Sequence, residues 1–414
     1  MNPPKDAAGC PALRDYDPFE PSHLADPYPL WSKAQEHAPF YAEKAGFWVV
    51  TRYADVLQVT KDTKTFSSRE SLNFKPVPAE LRPRLPHGFP QAYPSLINTD
   101  PPEHARIRKI ANRTLTPRYV EKMLPSIERV AHRLIDTFVD DRRADIVGRF
   151  AVPLPVTIIA DFLGVPASDQ DTFQRWSDHA FLMANPTLDD ETFFACATSM
   201  AELNEYLGAR IAERREAPRD DLLSRLIHES DDERRLSNEE IISTTAQLLI
   251  GGNVTTTDLL GNILLVLLSD LDRLRYAQAH PDRLADIIEE VLRYKSSIRG
   301  LFRHTTREVE VGGALIPAGA TVWVVFGAAN HDSTVFPEPS KFDPERDNLA
   351  GHVAFGRGTH FCIGAPLARA EARVALRLLL DRLPNLRLVE GQKMSYPPSP
   401  ISAGVDELLI TWEA

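Results

Sequence analysis

A glycine-rich stretch, "FGRGTHFCIG", holds the residues with the clearest capacity for chemistry. Cys362 lies near its end, His360 stands two positions earlier, and a helical pattern begins just after the cysteine. Glycines permit close approach of the backbone to a ligand, and the N–H groups of a helix start lower the pKa of a thiol. Taken alone, these residues leave open a buried structural cysteine or a catalytic thiol. A zinc site is disfavoured, because no second cysteine or paired histidine stands at ligand spacing.

The spacing in this stretch resembles the haem-ligand loop of the cytochrome P450 family. The matching positions are Phe355, Gly358, His360, Cys362 and Gly364. The resemblance implies haem b (iron protoporphyrin IX) as the cofactor and Cys362 as the axial thiolate on its iron, a ligation that favours O–O cleavage. It also implies that Phe355 packs beside the sulfur, and that the glycines let backbone amides hydrogen-bond to it.

A second group of residues corresponds to the family's partners of the haem propionates. His104 and Arg108 are four residues apart in "DPPEHARIRKI", so they share one helix face. By itself, such a charged face is usually only solvated. The resemblance assigns both residues to a propionate, which the arginine fork can bind in a bidentate manner. Arg303 in "LFRHTT" and His360 match the remaining propionate partners.

A helical stretch, "EEVLRY", carries a candidate buried ion pair. Glu290 and Arg293 stand at i and i+3 and share a face. An isolated pair of this kind is normally a solvated surface pair. The resemblance implies instead that both side chains are buried, are joined by Arg346 of "FDPERDN", and support the loop of Cys362 from below. Buried charges of this kind must be paired.

The longest apolar pattern predicts a helix over residues 237–268. Ser237 and Glu240 form a capping-box signature at its start. Gly251 and Gly252 interrupt its middle, although each glycine costs a helix about 0.8–1 kcal/mol relative to alanine. In the family this helix crosses the distal face of the haem, and small residues there leave room for O2 and substrate.

The family's distal signature is small, Gly, any residue, acid, Thr. The positions of this chain that match it, and that we assign as catalytic, are Gly251, Gly252, Asn253, Val254 and Thr255. The resemblance gives Thr255 the role of hydrogen-bonding the oxygen or its water, and Val254 replaces the carboxylate that helps to deliver protons.

The missing acid leaves two interpretations open. Val254 could simply pack against a neighbouring helix while water, with Thr255 or Asn253, relays the protons. Alternatively, the chemistry is altered, or a polar group of the substrate completes the relay. Asp258 lies about one helical rise of 5 Å further on and cannot take the place of the missing carboxylate.

A set of mostly apolar residues is expected to line the substrate pocket. A proline-rich lid loop over 73–100 supplies some of them, and the segment near Ser402 borders the same space. Arg299 could meet an anionic substrate, or it could point to solvent or pair elsewhere. The complete set is Phe74, Phe89, Tyr93, Leu249, Ile250, Ile298, Arg299, Phe302 and Ile401. Its composition favours an apolar or aromatic substrate of moderate size.

The bulk composition excludes some classes of protein. The 414 residues include 43% hydrophobic and 25% charged residues and three cysteines, with a net charge of -11. The negative charge argues against general nucleic-acid binding, which needs a basic face. The N-terminal segment is not a signal peptide by its pattern, and no apolar run without polar interruption approaches the ~20 residues of a membrane span. We therefore expect a cytoplasmic protein that binds neither nucleic acid nor membrane.

The pattern of elements predicts a predominantly α fold with small antiparallel β-sheets. The resemblance implies one cytochrome P450 domain over 1–414, shaped like a triangular prism. Its haem would lie between the central helix and the cysteine loop. We expect an extended N-terminal segment over 1–25, the lid over 73–100, the central helix over 237–268 and the haem-ligand loop over 352–364.

The resemblance implies haem-dependent monooxygenation as the activity. One atom of O2 enters a small organic substrate, and two electrons come from a separate partner, for which we expect a ferredoxin and its reductase. Arg108 and Arg369 could form a basic docking patch for an acidic ferredoxin. The alternatives are peroxide-driven oxidation, oxidative coupling or nitrogen-oxide chemistry, which the valine at position 254 raises, and, more remotely, a non-catalytic haem-binding sensor.

Overall fold

The structure is a computed structural model that describes residues 13, 16–69, 71, 76, 78–80, 83, 95–164, 169–183, 185, 188–231 and 234–413. Much of the segment 1–25 and of the lid 73–100 therefore lies outside the described residues. Helices dominate the rest. Their bounds are Pro21–Ala25, Tyr28–Gln35, Tyr53–Lys61, Glu103–Thr114, Pro117–Asp136, Pro153–Leu163, Gln170–Leu182, Asp190–Glu216, Leu222–His228, Asn238–Leu268, Leu271–Ala279, Leu284–Tyr294, Phe326–Ala329 and Ala365–Arg382.

The strands form small sheets beside these helices. The largest has five strands in the order Phe40–Ala42, Phe47–Val50, Thr321–Val324, Leu301–Thr305 and Phe66–Ser67. All neighbours in it are antiparallel except Phe47–Val50 and Thr321–Val324, which are parallel. The smaller sheets join Arg387–Leu388, Leu409–Thr411 and Arg143–Asp145, then Ser230–Asp231 with Arg234–Arg235, and Val309–Val311 with Ala314–Ile316. The predicted fold class is confirmed.

The central helix, Asn238–Leu268, begins at the expected residue for a local reason. The Ser237 hydroxyl accepts from the N–H of Glu240, and the Glu240 carboxylate accepts from the N–H of Ser237, so the capping box is complete. In the described part of the chain it is the one helix long and apolar enough to cross a membrane. However, 67% of its most apolar window is buried inside the protein, as in the core helix of a folded domain.

The packing of the central helix places the site. One side of this helix contacts the helices Pro153–Leu163, Gln170–Leu182 and Asp190–Glu216, and it also contacts Ala365–Arg382. The last of these begins three residues after Cys362. The helix that follows the cysteine loop is thereby packed against the central helix.

Candidate functional site

The loop that carries Cys362 is a tight turn held by its own backbone. The N–H of Cys362 donates to the carbonyl oxygen of Phe355 at 2.9 Å. Gly356 and Gly358 have φ angles of 70° and 71°, a region that favours glycine. A Cβ on Gly358 would lie 2.6 Å from the carbonyl oxygen of Thr60, so glycine is needed there for close approach as well as for conformation.

The groups around the sulfur of Cys362 shift its pKa in opposite directions. Burial raises the pKa of the thiol, whereas the backbone N–H groups of Gly364 and Ala365 and the charges of Arg108 and Arg369 lower it. The N–H groups belong to the start of the helix Ala365–Arg382, whose dipole favours negative charge at that end. The loop therefore supplies the partners that a thiolate ligand needs.

A cluster of cationic and imidazole side chains includes His104 and Arg303, and the charge of Asp100 acts on both of them. Burial lowers the pKa of His104 to about 4 and that of Arg303 to about 10. Neither ring nitrogen of His104 has a hydrogen-bond partner among the described residues. No described carboxylate lies within 4.0 Å of the Arg303 guanidinium, which donates to the carbonyl oxygen of Phe302 at 2.6 Å. The unpartnered ring nitrogens of His104 and the buried guanidinium of Arg303 fit the propionate groups of a haem.

His360 belongs to this cluster but is held by the protein itself. Its ring lies 4.3 Å from that of His104. Burial lowers the pKa of His360 to about 3, so the ring is neutral. Nδ1–H then donates to the carbonyl oxygen of Leu96 at 3.0 Å, and Nε2 accepts from the hydroxyl of Ser68 at 3.0 Å. His360 thus ties the cysteine loop to Ser68, which precedes the lid, and to Leu96, which lies near the end of the lid.

Arg108 completes the cluster from the helix Glu103–Thr114. Its side chain is half-buried, and its Nε donates to the side-chain oxygen of Asn112 at 3.0 Å. Burial lowers its pKa, and the charge of Cys362 opposes that shift. Arg108 therefore lies close enough to the sulfur for their charges to interact.

The middle of the central helix is open on the side of Gly251. A Cβ added to Gly251 would meet nothing within 4 Å, whereas a Cβ on Gly252 would touch Ile159 at 3.5 Å. The helix remains continuous through both glycines. The Thr255 hydroxyl donates to the Gly251 carbonyl oxygen at 2.6 Å, a back-bond that Thr commonly makes within helices. Gly251 thus provides the open space, and Gly252 permits close helix packing.

Asn253 and Val254 occupy the variable and acid positions of the distal motif, and they differ in burial. Val254 is half-buried beside Thr255. Asn253 is 1% exposed, and its amide donates to the side-chain oxygen of Gln174 at 2.9 Å. Asn253 is therefore committed to the helix Gln170–Leu182, and this geometry does not favour the interpretation that it relays protons with Thr255.

The ion pair beneath the cysteine loop is buried. Glu290 and Arg293 are both 0% exposed. Arg293 binds the carboxylate with two nitrogens, at 2.7 and 2.8 Å, and Arg346 Nε lies 3.2 Å from the same carboxylate. The N–H of Asp343 also donates to it at 2.8 Å. The four donors satisfy a buried charge that would otherwise be strongly destabilising.

The two arginines of this group also organise the loop before the cysteine. Arg293 donates to the carbonyl oxygens of Asn330, Pro339 and Lys341. Arg346 donates to those of Pro337, Glu338 and Lys341. The loop over 330–346 therefore folds around guanidinium groups. Its first residue also reaches the haem-ligand loop, because the side-chain oxygen of Asn330 accepts from the N–H of Val353 at 2.7 Å.

A second network of hydrogen bonds, which the sequence did not predict, is centred on Glu289. Glu289 accepts from Arg369 at 2.6 and 2.7 Å and from His352 Nε2 at 2.9 Å. Burial pushes the pKa of Glu289 upward, but these hydrogen bonds outweigh it and hold the pKa at about 2. The guanidinium of Arg369 lies 4.5 Å from the ring centre of Phe355, within cation–π range. The doubled acid in "EEVLRY" was the available signal.

The predicted substrate pocket needs revision. The Arg299 guanidinium is buried and donates to the carbonyl oxygens of His23, Leu24 and Ser402, so it does not face a substrate. Phe302 is also in the core, because strand alternation turns it away from Arg303 and stacks it with Trp323, its centroid 6.2 Å away.

Other members of the predicted pocket divide into three groups. Leu249 and Ile401 are 0% and 4% exposed and belong to the core. Ile250 and Ile298 are half-buried and remain candidates. The expected aromatic members of the lid lie outside the described residues, and they are Phe74, Phe89 and Tyr93. The revision follows from burial, which the residue types alone do not reveal.

Comparison with known proteins places these features in a family. A family model for cytochrome P450 matches residues 27–398. Cytochrome P450 monooxygenase PikC from Streptomyces venezuelae is 36% identical, over 97% of this chain and 95% of its own. The 6-deoxyerythronolide B hydroxylase of Saccharopolyspora erythraea is also 36% identical, over 94% and 96%. The solved structure of cytochrome P450 CYP109Q5 from Chondromyces apiculatus superposes with a TM-score of 0.87 at 35% identity, over 97% and 99%.

The match extends from the cysteine loop to nearly the whole chain. The residues that border Cys362 fit a haem by their chemistry, and relatives of nearly full length are named monooxygenases and hydroxylases. The activity is that of an oxidoreductase that acts on paired donors with O2, and it uses a small-molecule substrate and a redox partner. The chain belongs to the cytochrome P450 family, and it is a haem-thiolate monooxygenase with haem b as its cofactor.

Proposed function

We propose that this monooxygenase hydroxylates an apolar small organic molecule, which it binds over the open side of Gly251. The proposal rests on the residues of the central helix that surround Gly251. Ile250, Val254 and Thr255 are half-buried there, and Gly251 leaves space rather than a side chain. A relative of nearly the same length is named for an oxygenation of 6-deoxyerythronolide B. From the apolar residues around Gly251 we infer that the substrate of this chain is an apolar or aromatic organic molecule with few charges.

The described residues divide the work of the site. Cys362 supplies the thiolate, His104, Arg108 and Arg303 hold the propionates, and His360 fixes the loop between them. The bound haem would supply the activation of O2. The Thr255 hydroxyl can turn from the Gly251 carbonyl oxygen towards the open side of Gly251 and orient water there. The whole chain over 1–414 is inferred to act as one catalytic domain.

We further propose that the electrons come from a ferredoxin with its reductase, in the cytoplasm. Arg369 is 36% exposed by its side chain, although Glu289 holds it. Arg108 is half-buried on the helix Glu103–Thr114. Their position near the sulfur supports docking of an acidic partner on that side, and charge complementarity of this kind mainly raises association rates.

The spectrum of the reduced carbon monoxide complex tests the ligand assignment. Thiolate ligation by Cys362 predicts a Soret band at the position typical of a thiolate-ligated haem, distinct from that of a histidine-ligated haem. Cys362→His should abolish that band while leaving a haem protein of ordinary histidine-ligated spectrum. A wild-type spectrum typical of neutral histidine ligation would refute Cys362 as the ligand.

Isotope labelling tests the reaction. Candidate apolar ring compounds are first screened for spin-state shifts, and positives are then turned over under labelled O2 with a ferredoxin and reductase. We expect one labelled atom in the product. Turnover without label, or turnover that needs only peroxide, would contradict the proposed reaction. A charged compound that binds better than its neutral analogue would contradict the proposed substrate class.

A further inference from the structure

One turn after Thr255, the central helix carries a buried carboxyl with a specific partner. Asp258 is 6% exposed, and its Oδ2 accepts from the hydroxyl of Ser402. A Cβ on Gly404 would lie 1.9 Å from Asp258 Oδ1. The loop Ser399–Val405 therefore approaches the helix so closely that only glycine is accommodated at position 404.

The opposite edge of this loop is joined to the segment that leads to Arg303. Ile298 and Ser402 form an antiparallel bridge. The N–H of Arg299 donates to the carbonyl oxygen of Ile401 at 2.7 Å, and the N–H of Ala403 donates to that of Ser297 at 2.9 Å. The loop thus lies between the central helix and the segment 297–299, and the side chains of Asp258 and Asn262 fasten it to the helix.

The surroundings of Asp258 make hydrogen bonding more important than charge pairing. The charged groups that face it are Arg299, Lys295 and Asp406. No cation of the described residues lies within 4.0 Å of its carboxylate, and the Arg299 guanidinium is occupied by backbone carbonyls. Asn262 adds a neutral contact, because its amide donates to the carbonyl oxygen of Ala403 at 2.9 Å. An acceptor of the same shape is what this position requires.

We propose that Asp258 is a positioning residue for the substrate pocket, and that it fixes the loop Ser399–Val405 against the helical turn that carries Thr255. The loop in turn sets the place of Ile298, a half-buried candidate for the pocket wall. This inference rests on the proposed function only where it assigns Ile298 to the pocket. The fastening of the loop is independent of the reaction.

Hydrogen exchange of the holoenzyme tests the fastening. In Asp258→Ala and Ser402→Ala we expect exchange in peptides over 399–405 to rise about tenfold, the change that corresponds to one lost hydrogen bond. Exchange in the helix Ala365–Arg382 should stay unchanged. Asp258→Asn keeps an acceptor of the same shape, so exchange over 399–405 should stay at the wild-type rate. The same substitution at an exposed position, Asp272→Asn, is the matched control. Unchanged exchange in both Asp258→Ala and Ser402→Ala, or a general rise across the protein, would refute the inference.

Two azole probes of different size test the effect on the pocket. Imidazole reports access to the iron, and 4-phenylimidazole adds a ring that must fit between the pocket walls. We expect the ratio of their dissociation constants to change at least fivefold in Ser402→Ala and Asp258→Ala, and to remain near wild type in Asp258→Asn. An unchanged ratio in a variant with a normal reduced carbon monoxide spectrum would sink this inference and leave the proposed function standing. Loss of that spectrum in the wild type would sink the proposed function instead.

Discussion

The carboxyl of Asp258 makes the free energy of unfolding depend on pH in a direction that can be worked out. Burial raises its pKa from 3.8 to about 7, and the hydrogen bond from Ser402 and the charge of Arg299 oppose the rise only partly. Between these two pKa values the folded protein binds a proton that the unfolded chain has released. Stability from this group is therefore greatest at low pH and is lost as pH rises through 7.

The size of the effect follows from the same two values. Each pKa unit corresponds to about 1.4 kcal/mol, so the contribution should fall by about 2–3 kcal/mol between pH 5 and pH 8. Asp258 is buried, and solvent screening does not reduce this figure as it would at the surface. Asp258→Asn cannot ionise and resembles the protonated acid, so it should lack this pH dependence.

Urea unfolding of the holoenzyme at several pH values measures the effect. The quantity to compare is the difference in unfolding free energy between wild type and Asp258→Asn, because the other titrating groups cancel in it. We expect the free energy of unfolding of Asp258→Asn to increase relative to that of the wild type as pH rises, with most of the change between pH 5 and pH 7. A difference that stays constant over this range, or that changes in the opposite direction, would refute the assignment of a raised pKa.

Three further predictions concern the loop, the ion pair and the distal helix. Gly358→Ala should cost well over the ~1–2 kcal/mol of a left-handed residue and reduce haem retention, because its Cβ meets a carbonyl oxygen at 2.6 Å; Gly391→Ala, with φ 72° and open space, is the control for strain alone in thermal unfolding. Arg346→Ala should destabilise by about 3–5 kcal/mol in urea, since it leaves a buried carboxylate underpaired. The exposed Arg377→Ala should cost less than about 1 kcal/mol. Val254→Asp should change the share of electrons that ends in product; equal coupling and rate would show that the missing acid has no consequence.

The parts of the site that sequence could predict are those with rigid local rules. The cysteine loop is specified by glycines at positive φ and by a backbone turn, so five spaced residues are enough to recognise it. The shared helix face of Glu290 and Arg293 follows from their spacing, and their burial is what the resemblance to the family implies. The start of the central helix follows from its capping box. In each case the interaction is local, or its distant partner is itself part of a recognisable motif.

The features that sequence did not reveal depend on which way a side chain points. Arg299 and Phe302 stand in the segment expected to border the pocket, yet one binds backbone carbonyls and the other joins the aromatic core. Asn253 turns to a helix about 80 positions earlier in the chain. Contacts of this kind are set by the packing of elements that are distant in sequence, and composition carries no information about them.

The polar residues of "GGNVTTTD" are more fully committed than their number suggests. Asn253 bonds to Gln174, Thr257 donates to the carbonyl oxygen of Ala151 at 3.1 Å, and Asp258 accepts from Ser402. Thr256 is buried, and Val254 is apolar. Over 251–258, this leaves Thr255 as the one polar side chain that is not buried. Because a threonine hydroxyl passes a proton on but does not supply one, the stretch 251–258 offers a relay at Thr255 but no exposed acid.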